Sequence, residues 1–217
     1  MISWRDEISW RDDLPDATGD GATVVALSLR EDHLAPTPRD LQEAPSRDPA
    51  CGAFLRRRAL SRRIVAARLG VAPQSVEIGH APSGAPRVLA PSSSLKISVS
   101  GRADFCAVAM AEAPIGVDIE PSRAIEPPWS LLHPNERNTL ETLTGEARAE
   151  AFARLWTAKE AYLKALGLGF ARDPTKIAIG LDFSILDEEA APTILTRGWR
   201  RFVLRGEDFI AACVVLG

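Results

Sequence analysis

The stretch WTAKEAYLKALGLGF, residues 156–170, has the pattern of an amphipathic helix that ends at glycines. Steps of three and four residues place its large apolar side chains on one stripe. Lys159 lies inside this stripe, Glu160 borders it, and Lys164 follows one turn later on the side of Glu160. A surface pair with Glu160 would account for Lys164. Lys159 is harder to explain, because a lysine within an apolar stripe needs a partner or an opening to solvent.

The strand-like segment GVDIE, residues 116–120, carries two carboxylates on one face. Because side chains alternate along a strand, Asp118 and Glu120 point to the same side, and Gly116 leaves room beside them. Taken alone, this pair also suits a solvated acidic strand end. Together with Glu160 and the lysines it suits a site for magnesium and phosphate, since magnesium prefers carboxylate oxygens and lysine neutralises phosphate.

The composition is that of an ordinary globular protein. The 217 residues are 46% hydrophobic and 25% charged, and the net charge of -3 and pI near 5.7 argue against a nucleic-acid partner. Three scattered cysteines without CxxC spacing indicate a reducing compartment and no structural zinc. The charged start and the lack of a long apolar run predict neither signal peptide nor membrane partner, so we expect a cytoplasmic protein.

The order of predicted elements favours an α+β fold of two similar subdomains, each with antiparallel strands packed around one long helix. An N-terminal arm, residues 1–20, contains the tandem repeat ISWRDE/ISWRDD, which is a local duplication or a mobile arm. The N-terminal subdomain is predicted at 21–111 and the C-terminal subdomain at 112–217. Their long helices are predicted at 51–70, which is crowded with arginines, and at about 146–167.

The remaining segments are predicted as short strands and loops. The residues AEAP, 111–114, suit a tight hairpin between the strands on either side. The proline-rich segment 31–49 is predicted as a loop. In the tail, TILTRGW at 193–199 and RFVLR at 201–205 are predicted as separate strands.

The segment GVDIE followed by WTAKEAYLKALGLG resembles the signature of the 4′-phosphopantetheinyl transferases. The length and the two-half organisation are similar to the monomeric, surfactin-synthetase-type branch of that family. The resemblance implies the phosphopantetheinyl transferase fold, with pseudo-twofold symmetry, and a monomer. It also implies magnesium-dependent transfer of 4′-phosphopantetheine from coenzyme A to a serine of an acyl- or peptidyl-carrier protein, with release of adenosine 3′,5′-bisphosphate.

The same resemblance implies roles for individual residues. Asp118, Glu120 and Glu160 would hold magnesium. Glu160 would also take the serine proton, and Lys164 would act with it and with Asp118 in catalysis. The residues expected at coenzyme A are Arg58, Arg87, Ser98, Ser100, Lys159 and Lys164.

Two positions depart from the family pattern. Ala85 stands where the family usually has a lysine, and Val99 stands where it usually has a histidine; both family residues contact phosphates of coenzyme A. Arg87 is a candidate to compensate. The departures leave open a catalytically impaired member that acts as a coenzyme A- or carrier-protein-binding module. An unrelated magnesium-dependent phosphate enzyme is a further alternative, although the chain has no glycine-rich phosphate loop.

Overall fold

The computed structural model describes most of the residues of the chain. They are 8–11, 21–28, 34–46, 50–102, 105–122, 127–168, 171–188, 194–204 and 207–217. The helices are α1 (Pro38–Glu43), α2 (Ala50–Leu69), α3 (Pro134–Glu141) and α4 (Gly145–Leu166). The strands are β1 (Ser9–Arg11), β2 (Thr23–Ser28), β3 (Glu77–His80), β4 (Pro86–Ala90), β5 (Lys96–Arg102), β6 (Phe105–Ala111), β7 (Ile115–Pro121), β8 (Ile177–Ile179), β9 (Ile185–Asp187), β10 (Ile194–Leu204) and β11 (Glu207–Leu216). No helix within the described ranges is long and apolar enough to cross a membrane.

Six strands form the first sheet, in the order β1-β2-β6-β5-β4-β3. β1 runs parallel to β2, and the other neighbours are antiparallel. α2 covers one face, where Leu60, Ile64 and Val65 join Val108 and Met110 of β6 in one core cluster. The arginines of α2 therefore surround a narrow apolar side that holds the helix on the sheet.

The second sheet has three antiparallel strands in the order β10-β11-β7. α4 covers one of its faces, where Phe152 and Leu163 share a core cluster with Ala212 and Val214 of β11. β8 and β9 form a separate two-stranded sheet. Gly167, with a φ of 68°, ends α4 in the left-handed conformation, as the sequence predicts.

The two larger sheets pack on each other. Val117 and Ile119 of β7 share a core cluster with Ala107 and Ala109 of β6. β6 is buried along its whole length because its alternate residues face α2 on one side and the second sheet on the other. The layers are therefore helix, sheet, sheet and helix. The predicted α+β class, with antiparallel strands and a long helix in each half, is confirmed.

The connection at residues 111–114 is not the predicted hairpin, because β6 belongs to the first sheet and β7 to the second. Both edges of β6 are already hydrogen-bonded, one to β2 and the other to β5, so the next strand has no edge of β6 to pair with. β7 pairs with β11 instead. The short connection thus carries the chain from one sheet to the other.

Part of the predicted loop at 31–49 forms the short helix α1. Its proline, Pro38, lies in the first turn, where the missing N–H is not needed. The Thr37 hydroxyl accepts a hydrogen bond from the Asp40 nitrogen, and the Asp40 carboxylate accepts one from the Thr37 nitrogen. Two local caps therefore outweigh the disruptive effect of the prolines.

Two further segments differ from their predictions. The tail segments 193–199 and 201–205 contribute to one continuous strand, β10, which pairs along its length with β11. Residues 9–11 of the predicted N-terminal arm form β1, and the Arg200 Nη1 donates a hydrogen bond to the Trp10 carbonyl oxygen at 2.9 Å. The first copy of the tandem repeat, residues 2–7, lies outside the described residues, as does Gly169.

Candidate active site

β7 and α4 approach so closely that their backbones touch at Gly116. A Cβ built on Gly116 would lie 1.9 Å from the Ala161 carbonyl oxygen and 2.4 Å from the Ala165 nitrogen, so only glycine permits this contact. The space that the sequence predicts beside the carboxylates is therefore filled by the helix backbone. This contact places Lys164 of α4 beside Asp118 of β7.

Asp118 is buried and receives two hydrogen bonds on one oxygen. Its Oδ1 accepts from Lys164 Nζ at 2.7 Å and from Ser100 Oγ at 2.6 Å. Lys164 Nζ also donates to the Val117 carbonyl oxygen at 3.1 Å, so the partners of Lys164 lie on β7. Asp118 Oδ2 is buried and has no hydrogen-bond partner within the described part of the chain. Such an oxygen is costly unless a donor or a cation reaches it.

The two glutamates are in different environments. Glu120 is buried, and Arg102 binds both of its oxygens, with 2.6 Å from Nε to Oε2 and 2.7 Å from Nη2 to Oε1. Glu160 is only partly buried. Burial raises the pKa of each glutamate above its ordinary value of 4.5, and the charge of Asp118 adds to this effect. Arg102 opposes the rise at Glu120, and Lys164 opposes it at Glu160.

The predicted magnesium ligands are near one another but are not preassembled. Across the described ranges, no three His, Cys, Asp or Glu side chains are arranged closely enough to hold a metal ion. The donor set nevertheless fits a hard divalent cation, because the charge of Asp118 acts on both Glu120 and Glu160 and Asp118 has a buried oxygen without a partner among the described residues. The assignment of magnesium to Asp118, Glu120 and Glu160 therefore stays a proposal.

Lys159 does not reach this cluster, which corrects its expected contact with coenzyme A. Its buried Nζ lies 2.6 Å from Glu136 Oε2 and 2.9 Å from the Pro174 carbonyl oxygen. Glu136 also accepts hydrogen bonds from the backbone nitrogens of His133 and Ile179. Burial lowers the pKa of Lys159, and the charge of Glu136 opposes that change. The lysine in the apolar stripe thus has the partner that its position requires.

A cavity of about 740 Å³ lies between β4, β5 and the C-terminal end of α4. Three of the predicted coenzyme A residues line it, namely Arg87, Ser98 and Lys164, and so do Ala85 and Val99. A volume of this size is typical of small-molecule sites. The cavity therefore brings together the two positions that depart from the family pattern and the arginine expected to compensate for them.

The two predicted serines also hold the sheets together. Ser98 Oγ accepts a hydrogen bond from the Val117 nitrogen at 3.0 Å, and Ser100 Oγ donates to Asp118. These contacts join β5 of the first sheet to β7 of the second. They fix the position of the acidic strand, whatever further contact the serines make with a ligand.

Arg58 is bound within the protein, and its expected contact with the phosphates of coenzyme A stays a prediction. Its side chain is only 6% exposed, and its guanidinium donates to the Glu43 carboxylate and to the Ile78 carbonyl oxygen. It borders a second cavity of about 210 Å³, which is also lined by Arg57 and His80. Burial lowers the pKa of Arg58, and Glu43 opposes that change.

Sequence reasoning missed Arg102, Glu136 and Arg57. A signal for Arg102 was present, because residues 98, 100 and 102 share one face of β5 and that face meets β7. The signal for Glu136 was weaker. The residues HPNE, 133–136, have the pattern of a helix start, and His133 and Glu136 cap each other there. For Arg57, nothing distinguished it from the other arginines of α2.

Comparison with known proteins identifies relatives for this arrangement. The family model described as the 4′-phosphopantetheinyl transferase superfamily matches residues 114–214. The 4′-phosphopantetheinyl transferase HetI of Nostoc sp. is 34% identical over 171 residues, which are 75% of this chain and 70% of HetI. A Synechocystis sp. protein provisionally named as a 4′-phosphopantetheinyl transferase is 32% identical over 145 residues, 64% of this chain and 56% of that protein. A 4′-phosphopantetheinyl transferase of Bacillus subtilis is 31% identical over 115 residues, 52% of this chain and 50% of its own length. The chain thus spans about half the length of two of these relatives.

Proposed function

We propose a reaction for this chain, which belongs to the 4′-phosphopantetheinyl transferase family. The chain transfers 4′-phosphopantetheine from coenzyme A to a serine hydroxyl of an acyl- or peptidyl-carrier protein. The other product is adenosine 3′,5′-bisphosphate. The observation that carries the proposal is the pairing of buried Asp118 with Lys164 at the wall of the large cavity. Family membership also removes the alternative of an unrelated magnesium-dependent phosphate enzyme.

Asp118, Glu120 and Glu160 would hold magnesium, which when bound neutralises pyrophosphate charge and polarises the attacked phosphorus. Lys164 lies between Asp118 and the cavity and would neutralise the phosphate oxygen that leaves. In the reaction, the serine oxygen forms a bond to the phosphorus of the pantetheine phosphate. The bond from that phosphorus to the bridging oxygen breaks, and this oxygen leaves with adenosine 3′,5′-bisphosphate.

Glu160 is the side chain best suited to accept the serine proton. It is partly exposed, so a hydroxyl can approach it, whereas both oxygens of Glu120 are bound by Arg102. Burial raises the pKa of Glu160, which makes its carboxylate a stronger base than an exposed glutamate. Asp118 would orient Lys164 through their hydrogen bond.

The large cavity would receive coenzyme A. Arg87, Ser98 and Lys164 line its wall and offer two positive charges and a hydroxyl to phosphate oxygens. Ala85 and Val99 line the same cavity without offering such groups. The division into subdomains at 21–111 and 112–217, the monomeric state, the branch within the family and the cytoplasmic location remain parts of this proposal.

Transfer can be tested directly with the purified chain, coenzyme A, magnesium and several apo-carrier proteins. Mass spectrometry should show one phosphopantetheine arm added to the serine of a carrier protein. Asp118→Asn and Glu160→Gln should abolish the addition without unfolding the chain, and Glu150→Gln, at an exposed ion pair with Arg201, should not. No addition to any carrier protein would refute the transferase proposal. It would favour the binding-module alternative that Ala85 and Val99 suggest, provided that calorimetry still shows coenzyme A binding.

A further inference from the structure

Arg102 is a cation placed on a carboxylate that the proposed reaction assigns to magnesium. It is the last residue of β5, and its guanidinium makes a two-pronged contact with Glu120 at 2.6 and 2.7 Å. The two side chains differ in exposure, since that of Glu120 is 4% exposed and that of Arg102 is 53% exposed. Glu120 is therefore held from the solvent side, by a group that can leave without opening the core.

The contact belongs to the charge balance of the whole acidic cluster. Asp118 has Lys164 as its cation, and Glu120 has Arg102. Carboxylates this close to one another repel and need positive charge nearby. Arg102 supplies that charge from within the chain.

A metal ion that binds Glu120 competes with this contact. Both oxygens of Glu120 point into the fork of the guanidinium, and an arginine cannot lose its proton to make way for a cation. A cation placed beside them would also meet the positive charge of Arg102. Coordination through this carboxylate is therefore favoured when Arg102 releases Glu120.

We infer that Arg102 is an internal substitute for the divalent cation: it pairs with Glu120 when the cation is absent and is displaced when the cation binds. The inference rests on the proposed function only in its choice of Asp118, Glu120 and Glu160 as ligands. It assigns to Arg102 the role of a competitor that sets the affinity of the site for the metal. A cation held by Asp118 and Glu160 alone would leave the Arg102 contact intact.

The test is metal binding to the free protein, without coenzyme A or carrier protein. Magnesium, and manganese as a second probe, are titrated by calorimetry into the metal-free full chain and into Arg102→Gln. We expect Arg102→Gln to bind the cation about tenfold more tightly or better, because the competing charged hydrogen bonds are gone. In EDTA the Tm of Arg102→Gln should lie below that of the original chain, because Glu120 loses the charged partner that compensates its burial. Magnesium should raise the Tm of Arg102→Gln more than that of the original chain.

Two variants serve as controls. Arg201→Gln removes an arginine from an exposed ion pair with Glu150 and should leave metal affinity unchanged. Arg102→Lys keeps the charge but loses the fork, so its affinity should fall between those of the original chain and Arg102→Gln.

Equal or weaker metal binding by Arg102→Gln would overturn the inference, and so would the lack of metal binding by both proteins. Detectable binding by Arg102→Gln alone would support it. The transfer assay keeps the two proposals separate. If the original chain transfers phosphopantetheine and Arg102→Gln gains no metal affinity, only the inference fails. If no transfer occurs, the function fails even where the metal affinity changes as expected.

Discussion

Replacing Gly116 by alanine tests the contact that brings β7 and α4 together. The added methyl would lie 1.9 Å from the Ala161 carbonyl oxygen, where ordinary contact begins at 3.4 Å. The helix or the strand must therefore move by roughly 1.5 Å, because a backbone oxygen cannot rotate away as a side chain can. Overpacking of this kind costs about 1–3 kcal/mol of the free energy of unfolding. The same shift would stretch the 2.7 Å contact of Lys164 with Asp118, and transfer should fall by about 100-fold.

The matched control is Gly198→Ala, in β10. There the nearest atoms, from Ile8 and Trp10, lie 3.9 Å from the built Cβ, so a methyl fits. Its stability should stay within about 0.5 kcal/mol of the original chain. Urea titration measures the stability of both variants, and the carrier-protein assay measures their transfer rates. The reasoning is refuted if Gly116→Ala is as stable and as active as Gly198→Ala.

Three further predictions follow from the buried pair, the raised pKa and the cavity. Lys159→Met should lower the free energy of unfolding, measured by urea titration, by about 3–5 kcal/mol, because it leaves Glu136 buried and charged. The double variant Lys159→Met/Glu136→Gln should recover more than half of that loss. Equal stability of the single and double variants would contradict the pairing. The raised pKa of Glu160 means that the folded chain holds this proton more tightly than the unfolded chain just above pH 4.5. The contribution of Glu160 to the stability of the metal-free chain should therefore fall as the pH rises above 4.5. Glu160→Gln should flatten the dependence of stability on pH, measured in EDTA. The transfer rate of the original chain should rise with pH over the same range. Ala85→Lys and Val99→His place phosphate-binding groups on the cavity wall and should tighten coenzyme A binding, measured by calorimetry, by about tenfold. An equal gain in affinity for 3′-dephospho-coenzyme A would show that the new side chains do not contact the 3′-phosphate.

Much of the fold could be predicted because local signals were strong. The apolar sides of α2 and α4, the glycine that ends α4 and the alternation in β7 are all visible in the sequence. The pairing of strands was not, because it depends on which edges are free. The connection at 111–114 looks like a hairpin turn, yet β6 is already paired on both edges and β7 finds its partner in β11.

The site was predictable in its residue types more than in its contacts. Alternation placed Asp118 and Glu120 on one face, and both meet β5. The partner of Lys159 could not be identified, because Glu136 lies in another helix and no local spacing links the two. For Arg58, whose place in the sequence points to the cofactor, the burial against Glu43 could not be predicted either. Burial and pairing are tertiary properties that a motif does not contain.

The pairing of β7 with β11 has a consequence for how the protein is made. Asp118 lies opposite Ala212 in that pairing, and Glu120 lies opposite Ile210. A ribosome that has just synthesised β7 has not yet synthesised its partner, whereas all six strands of the first sheet are already complete. The nascent chain can therefore form the first sheet and α2 early. β7, which carries Asp118 and Glu120, cannot pair with β11 until β11 has been synthesised. Catalytic competence should appear late in synthesis, and a protein arrested before β11 should contain every proposed catalytic residue and yet be inactive.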